Sequence, residues 1–310
     1  MISQPKKQSS NFRLQLKYWL VKHPSYNPYK FSIRNFFKTL TGNFRLLPNF
    51  IIIGAGRAGT TSLYRYITQH TNVLPSTTKD SNNEFADLHF FEYKISNSVN
   101  WYKSHFPLKF LHQSSVSKNK QNFITGEFTA TYMYHPLVPK RIFNLLPKTK
   151  LILVLRNPVD KAFSTYNQQK NYKQTNLKFQ EIIQSEIERI KFLEVNSQKF
   201  HIQSPDDLII PNILRHGIYA KYIENWLKSF PLKQIFIINS DDLENSTQKV
   251  LDELFTFLEL PSYKIPDISK VNTGNYHPMP KTTREFLLNF YEPYNKKLYE
   301  LIGRSFDWEK

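Results

Sequence analysis

Three short apolar runs stand out along the chain: Asn49–Ile53, Lys150–Arg156 with Leu-Ile-Leu-Val-Leu inside it, and Gln234–Asn239 around Ile-Phe-Ile-Ile. Each is nearly continuous rather than alternating, as expected of strands buried on both faces of a parallel sheet. Between the runs the period changes to that of a helix. Tyr219, Tyr222, Ile223, Trp226, Leu227 and Phe230 fall on one stripe, and Phe179, Ile182, Ile183, Ile187 and Ile190 on another. Val250, Leu251, Leu254, Phe255 and Leu258 make a third, with Ser246 placed as its N-cap. Thr282 and Glu285 form a capping-box pattern that opens a C-terminal helix. Strands alternating with helices predict an α/β fold with a central, mainly parallel sheet. The polar stretches 113–122 and 195–207 read as exposed loops, and no internal repeat is visible.

At 310 residues the chain suits one large domain, 48–310, preceded by an arm, 1–47. The arm is basic and aromatic, and Pro24 and Pro28 prevent one long amphipathic helix through it, which favours docking on the core over lying on a membrane surface. Charge sharpens the picture. The formal net charge is +17 with a pI near 9.7, so the partners should be anionic. The excess is uneven: residues 1–79 hold twelve Lys and Arg and no Asp or Glu. The absence of cysteine excludes disulfides, thiolate catalysis and zinc–thiolate sites. No apolar run approaches a membrane span, and the first residues lack the apolar core of a secretory signal. A soluble cytoplasmic protein is the expectation.

The chemistry is concentrated where the first strand ends. Gly54-Ala55-Gly56-Arg57-Ala58-Gly59-Thr60-Thr61 satisfies three anion-binding descriptions. It contains G-x-G-x-x-G of dinucleotide folds, it has the glycine spacing of a nucleotide P-loop, and it has a cation inside the loop with hydroxyls after the last glycine, as a phosphosulfate cradle does. In all three, glycines let the backbone approach an anion and the N–H groups opening the next helix point at it. The dinucleotide reading lacks its ribose-binding carboxylate, since Asn72–Thr77 has none before Asp80. The P-loop reading lacks its lysine, the position being Thr60. A turn with glycines for geometry alone would need neither Arg57 nor the hydroxyls of Thr60, Thr61, Ser62 and Tyr64.

A second signal follows the second apolar run. Arg156 ends a buried strand, Pro158 turns the chain, and Ser164 falls eight residues on in the next helix. An arginine at a strand end and a serine in the following helix can grip one phosphate. Read alone, the pair is equally a surface salt bridge and an ordinary helix serine.

With both elements in place the chain resembles the sulfotransferase family, in particular its heparan-sulfate-type and bacterial sugar-sulfotransferase branch. The resemblance runs from about Pro48 to Gly303. It rests on Gly54–Leu63, Asp87-Leu88-His89-Phe90-Phe91, Trp101-Tyr102 with Phe106-Pro107, Gly126-Glu127-Phe128-Thr129 with Tyr132, Arg156–Ser164, His216–Ala220 and Phe290–Glu300, in that order. It implies a P-loop-like three-layer fold and the donor 3′-phosphoadenosine 5′-phosphosulfate (PAPS), with no metal. It further implies that Arg57, Ala58, Gly59, Thr60, Thr61 and Ser62 hold the 5′-phosphosulfate, and Arg156 and Ser164 the 3′-phosphate. Tyr219 joins this set, as do Lys270 and Asn275 in a late loop over the donor. Where Arg57 stands the family usually has lysine, and arginine can stabilise charge on the bridging oxygen but cannot donate a proton to it.

Sulfuryl transfer to a hydroxyl needs a base for the proton and cations for the leaving oxygen. The resembled branch has a glutamate two residues before His-Phe-Phe; here Asp87 holds that position, with Glu84 in reserve. His89 either orients the acceptor or is a structural histidine. Gln168 lies where some amine-sulfating relatives carry histidine, which points to an oxygen acceptor. The expected function is sulfuryl transfer from PAPS to a glycan or small natural product, with neither nucleic acid nor a transmembrane segment involved. The rivals are a P-loop nucleotide kinase and a non-enzymatic protein binding nucleic acid or an anionic surface.

Overall fold

The computed structural model describes residues 39–80, 84–109, 123–195, 212–269 and 277–309. Most of the basic arm, the loop 113–122, all but the first residue of 195–207, and Lys270 and Asn275 lie outside them. In chain order the elements are β1 (Phe50–Gly54), α1 (Thr60–Ile67), β2 (Val73–Leu74), α2 (Val99–Lys103), β3 (Ile124–Phe128), α3 (Val138–Leu145) and β4 (Lys150–Leu155). They continue with α4 (Pro158–Asn171), α5 (Phe179–Val195), α6 (Tyr219–Leu227), β5 (Ile235–Asn239), α7 (Ser240–Asn245), α8 (Thr247–Phe257) and α9 (Lys281–Ile302). The five strands form one parallel sheet in the order β2-β3-β1-β4-β5. This is the expected α/β architecture.

The three apolar runs became β1, β4 and β5, and every residue of β1 is buried. Burying a side chain the size of Ile or Leu contributes roughly 1.5–3 kcal/mol, so these runs anchor the core. The two strands at the other edge carried no periodic signal. β3 reads Ile-Thr-Gly-Glu-Phe yet is buried throughout. Its glycine is required, because a Cβ on Gly126 would meet the Phe50 ring at 2.4 Å. Two cap expectations differ from the structure. Ser246 holds the N-cap position of α8 without a capping side-chain bond, and α9 starts at Lys281 after Pro280, so Thr282 lies inside the first turn. Pro280, at φ −55, has the fixed backbone angle that leads into a helix without a polar cap.

Ligands of open parallel sheets bind beyond the carboxyl ends of the strands, where the strand order reverses. That point lies at β1, flanked by β3 and β4. Register puts Ile52 level with Ile152 and with Phe128, the last residue of β3, so β1 and β4 run further toward their carboxyl ends than β3 does. No helix among the described residues is long and apolar enough to cross a membrane.

Candidate active site

Beyond β1 the glycine loop turns into α1. Gly59 is the N-cap, with φ +95 in the left-handed region, a conformation that favours glycine. Gly54 is required for a different reason: a Cβ there would meet Met133 Cβ at 2.8 Å. A Cβ on Gly56 would meet nothing, so packing does not explain that glycine. α1 has no side-chain cap and no acidic residue in its first turn. Its leading N–H groups, at Thr60 and Thr61, therefore point toward an anion site in line with the helix dipole.

The loop meets the end of β4. Arg57 donates from Nε to Ser164 Oγ at 3.1 Å, and Arg156 donates from Nη1 to the Arg57 carbonyl at 3.2 Å. Ser164 lies on the buried face of α4 because Asn157 caps that helix, accepting from the Val159 N–H at 3.0 Å, with Pro158 opening its first turn. Tyr219, buried at the start of α6, donates to the Arg156 carbonyl at 2.8 Å. Arg57, Arg156, Ser164 and Tyr219 thus form one connected group, although almost a hundred residues separate the first two.

Behind this group the interior is charged. Lys161 on α4 is buried, and burial pushes its ammonium down to about 7 while Glu186 opposes and Arg156 adds to the fall. Glu186 accepts the N–H groups of Ile213, Leu214 and Arg215 at 2.6, 2.7 and 3.2 Å and so fixes the segment entering α6. The His216 ring stacks on Tyr134 at 3.9 Å, and burial, with Lys161 and Arg215 nearby, holds its imidazole well below the usual range.

The acidic side comes from 87–92 and the chain leaving β3. The Asp87 side chain is 30% exposed, and burial raises its carboxyl above the ordinary value, opposed by His89 and by the Ala130 N–H that it accepts. His89 Nε2 lies 3.9 Å from Asp87 Oδ2, and His89 Nδ1 lies 2.9 Å from Glu92 Oε2. Glu92 is buried and also accepts from Thr131 Oγ1 at 2.9 Å. His89 therefore bridges two carboxylates. Like Arg57 it has a left-handed backbone, φ 56 against φ 67. Such a conformation costs roughly 1–2 kcal/mol in a residue with a Cβ; of the four described non-glycine residues that adopt it, Arg57 and His89 fall in the site and Lys173 and Glu259 do not.

Glu84 is exposed on the rim, where its N–H donates to Asp80 Oδ1 and its carbonyl accepts from the Asp80 N–H. It is not among the groups joined to His89. Gln168 is half-buried in the second half of α4. Sequence reasoning assigned no role to Glu92, Glu127, Thr129, Thr131, Lys161 or Glu186. The available signal was a glutamate inside an otherwise apolar strand or helix face, which a folded protein keeps only with partners.

Comparison with known proteins adds the following. The profile of the sulfotransferase domain matches residues 47–277. The membrane-associated sulfotransferase kil1 of Dictyostelium discoideum is 25% identical over 333 aligned residues, covering 86% of this chain and 68% of that protein. The human bifunctional heparan sulfate N-deacetylase/N-sulfotransferase 3 is 29% identical over 83% of this chain, which spans only 30% of that protein's length. Among solved structures, a sulfotransferase from Alicyclobacillus acidocaldarius superposes with a TM-score of 0.62 at 25% identity, covering 86% of this chain and all of that one.

Proposed function

The chain belongs to the sulfotransferase domain family, and from that premise we propose that it moves the sulfuryl group of PAPS to a hydroxyl of a glycan or small natural product. The observation that carries this reading is the meeting of Arg57, Arg156 and Ser164 at the ends of β1 and β4, with Asp87 held on the neighbouring β3 side. The residues suit PAPS, an anion at both ends. The uncapped N-terminus of α1 and Arg57 are matched to a 5′-phosphosulfate. Arg156 and Ser164 are matched to a 3′-phosphate, with Tyr219 holding the backbone behind them.

Asp87 takes the proton as the acceptor oxygen attacks sulfur in line. The new O–S bond forms while the bond from sulfur to the bridging oxygen breaks, and adenosine 3′,5′-bisphosphate leaves with that electron pair. Arg57 and the loop N–H groups stabilise the charge growing on the bridging oxygen. A phosphate leaving group needs little protonation, so a permanently charged arginine suffices where relatives carry lysine. Glu92 fixes the His89 ring, and His89 faces Asp87 across 3.9 Å, close enough to favour its charged form. Gln168, where the resemblance puts histidine in amine-sulfating relatives, favours an oxygen acceptor.

Thermal shift tests the donor. Adenosine 3′,5′-bisphosphate should raise the melting temperature and ATP–magnesium should not; the reverse result supports a nucleotide kinase and overturns the proposal. Incubation with labelled PAPS and a panel of glycans, small alcohols and amines then identifies the acceptor. Transfer to amines alone would overturn the hydroxyl assignment.

A further inference from the structure

Glu127 lies in the middle of β3, with 1% of its surface exposed, and touches no group assigned to either substrate. Its two oxygens face two donors. Tyr102 on α2 donates to Oε1 at 2.6 Å, and Thr129 donates from Oγ1 to Oε2 at 3.1 Å. The Thr129 oxygen in turn accepts the N–H groups of Leu88 and His89 at 3.1 and 3.3 Å. A hydroxyl has one hydrogen to give and two lone pairs to fill. At Thr129 all three are in use, and the direction is set by Glu127: with the hydrogen drawn to the carboxylate, the lone pairs face the segment that carries Asp87.

Only an acceptor on both sides completes this arrangement. An ionised carboxylate meets that need, whereas a protonated acid or an amide turns a donor toward Thr129, whose lone pairs are filled, or toward Tyr102, whose hydrogen then loses its acceptor. We propose that Glu127 is a positioning residue for Asp87, acting through the Thr129 hydroxyl on the backbone of Leu88 and His89. This rests on the reading of Asp87 as the base. It also explains why Trp101-Tyr102, Gly126–Thr129 and the Asp87 segment occur together: they are three parts of one hydrogen-bonded chain.

An electrostatic consequence follows. Asp87 is faced by His89, Glu92 and Lys94 from its own segment and by Glu127 and the Ala130 N–H from the β3 side. Glu127 is faced by Tyr102, Thr129, Asp87 and His89. The Asp87 charge therefore opposes ionisation of Glu127 and adds to the rise that burial imposes on it.

The test compares Glu127→Gln, Thr129→Ser and Thr129→Val with the wild type. It reads hydrogen exchange at the Leu88 and His89 amides and calorimetric binding of adenosine 3′,5′-bisphosphate. Glu127→Gln should speed exchange at both amides about five-fold, the equivalent of one hydrogen bond. Thr129→Val should speed exchange likewise, Thr129→Ser should restore protection, and the bisphosphate should bind all four proteins alike. Unchanged exchange in folded Glu127→Gln would overturn the proposal. If that variant does not fold, equal exchange in Thr129→Ser and Thr129→Val overturns it instead. A wild type that fails to bind the bisphosphate refutes the PAPS reading and leaves the exchange result to stand separately.

Discussion

The two walls of the site are built on opposite electrostatic plans. The wall from β1 and β4 presents arginines, helix N–H groups and a serine, and its buried backing sets Lys161 and Arg215 against Glu186. The wall from 87–92 and β3 presents Asp87, with Glu92 and Glu127 buried close behind it. The difference follows from what each wall must do. An arginine that recognises a fixed anion never changes protonation, so it can be locked by single bonds to Ser164 and to a backbone carbonyl. A base gains and loses a proton in every turnover. The carboxylates behind it take bonds from neutral donors, Glu92 from Thr131 and Glu127 from Tyr102 and Thr129, while Asp87 itself accepts the Ala130 N–H and faces His89 and Lys94.

Removing the base breaks this contrast most severely. Asp87→Asn should lower kcat roughly 10³-fold, in the range of a lost general base, while the Kd for adenosine 3′,5′-bisphosphate stays as in the wild type. Glu84→Gln, on the exposed rim, should change kcat little. Single-turnover transfer from labelled PAPS checks both. Loss of activity in the Glu84 variant alone would move the base to the rim.

The next effect is on stability and concerns the acidic wall alone. Burial pushes Glu127 from 4.5 up to about 7, against the pull of Tyr102 and Thr129. A carboxyl raised on folding contributes its stability fully below its unfolded pKa and loses it as pH rises through the folded one. Above pH 7 the charged form therefore costs on the order of 3 kcal/mol relative to pH 4.5. Glu127→Gln has no such titration. Its melting temperature relative to the wild type should rise between pH 5 and pH 8, even though the variant positions Asp87 worse. A constant difference across that range would show that Glu127 does not titrate there.

On the cationic wall, Arg57→Ala should reduce kcat about 10²-fold, the size of one lost oxyanion donor. Arg57→Lys should recover most of that, because a lysine restores the charge and can also protonate the bridging oxygen. If the two variants are equally poor, the Ser164 contact rather than the charge is what Arg57 supplies.

The cationic wall was largely legible in the sequence, and the acidic wall was not. Gly54–Ser62 and Arg156–Ser164 are contiguous signals that follow apolar runs, so the local pattern places them at strand ends. β1, β4 and β5 were legible for the same reason. β3 was not, because Gly126 and Glu127 interrupt its apolar character. The need for that glycine lies in Phe50, on a strand far away in the chain. Glu92 and Thr131 likewise meet only through the fold, and no spacing rule on one strand predicts a partner on another. Asp87 and His89 were found through a resemblance; their geometry depends on Thr129 and Glu127, which that resemblance included without a role.

The smallest expected effect separates a wall held by its own charges from one held from behind. Tyr219 reaches Arg156 only through its backbone carbonyl, at 2.8 Å, and the ring is buried. Tyr219→Phe keeps the ring and removes that bond, leaving a carbonyl at the strand end without its donor, a loss of about 1 kcal/mol. The Kd for adenosine 3′,5′-bisphosphate should then rise about five-fold, with kcat at saturating PAPS unchanged. A fall in kcat at saturation would mean that the two walls are coupled. An unchanged Kd would mean that Arg156 is held well enough by Arg57, and that the buried tyrosine serves only the core.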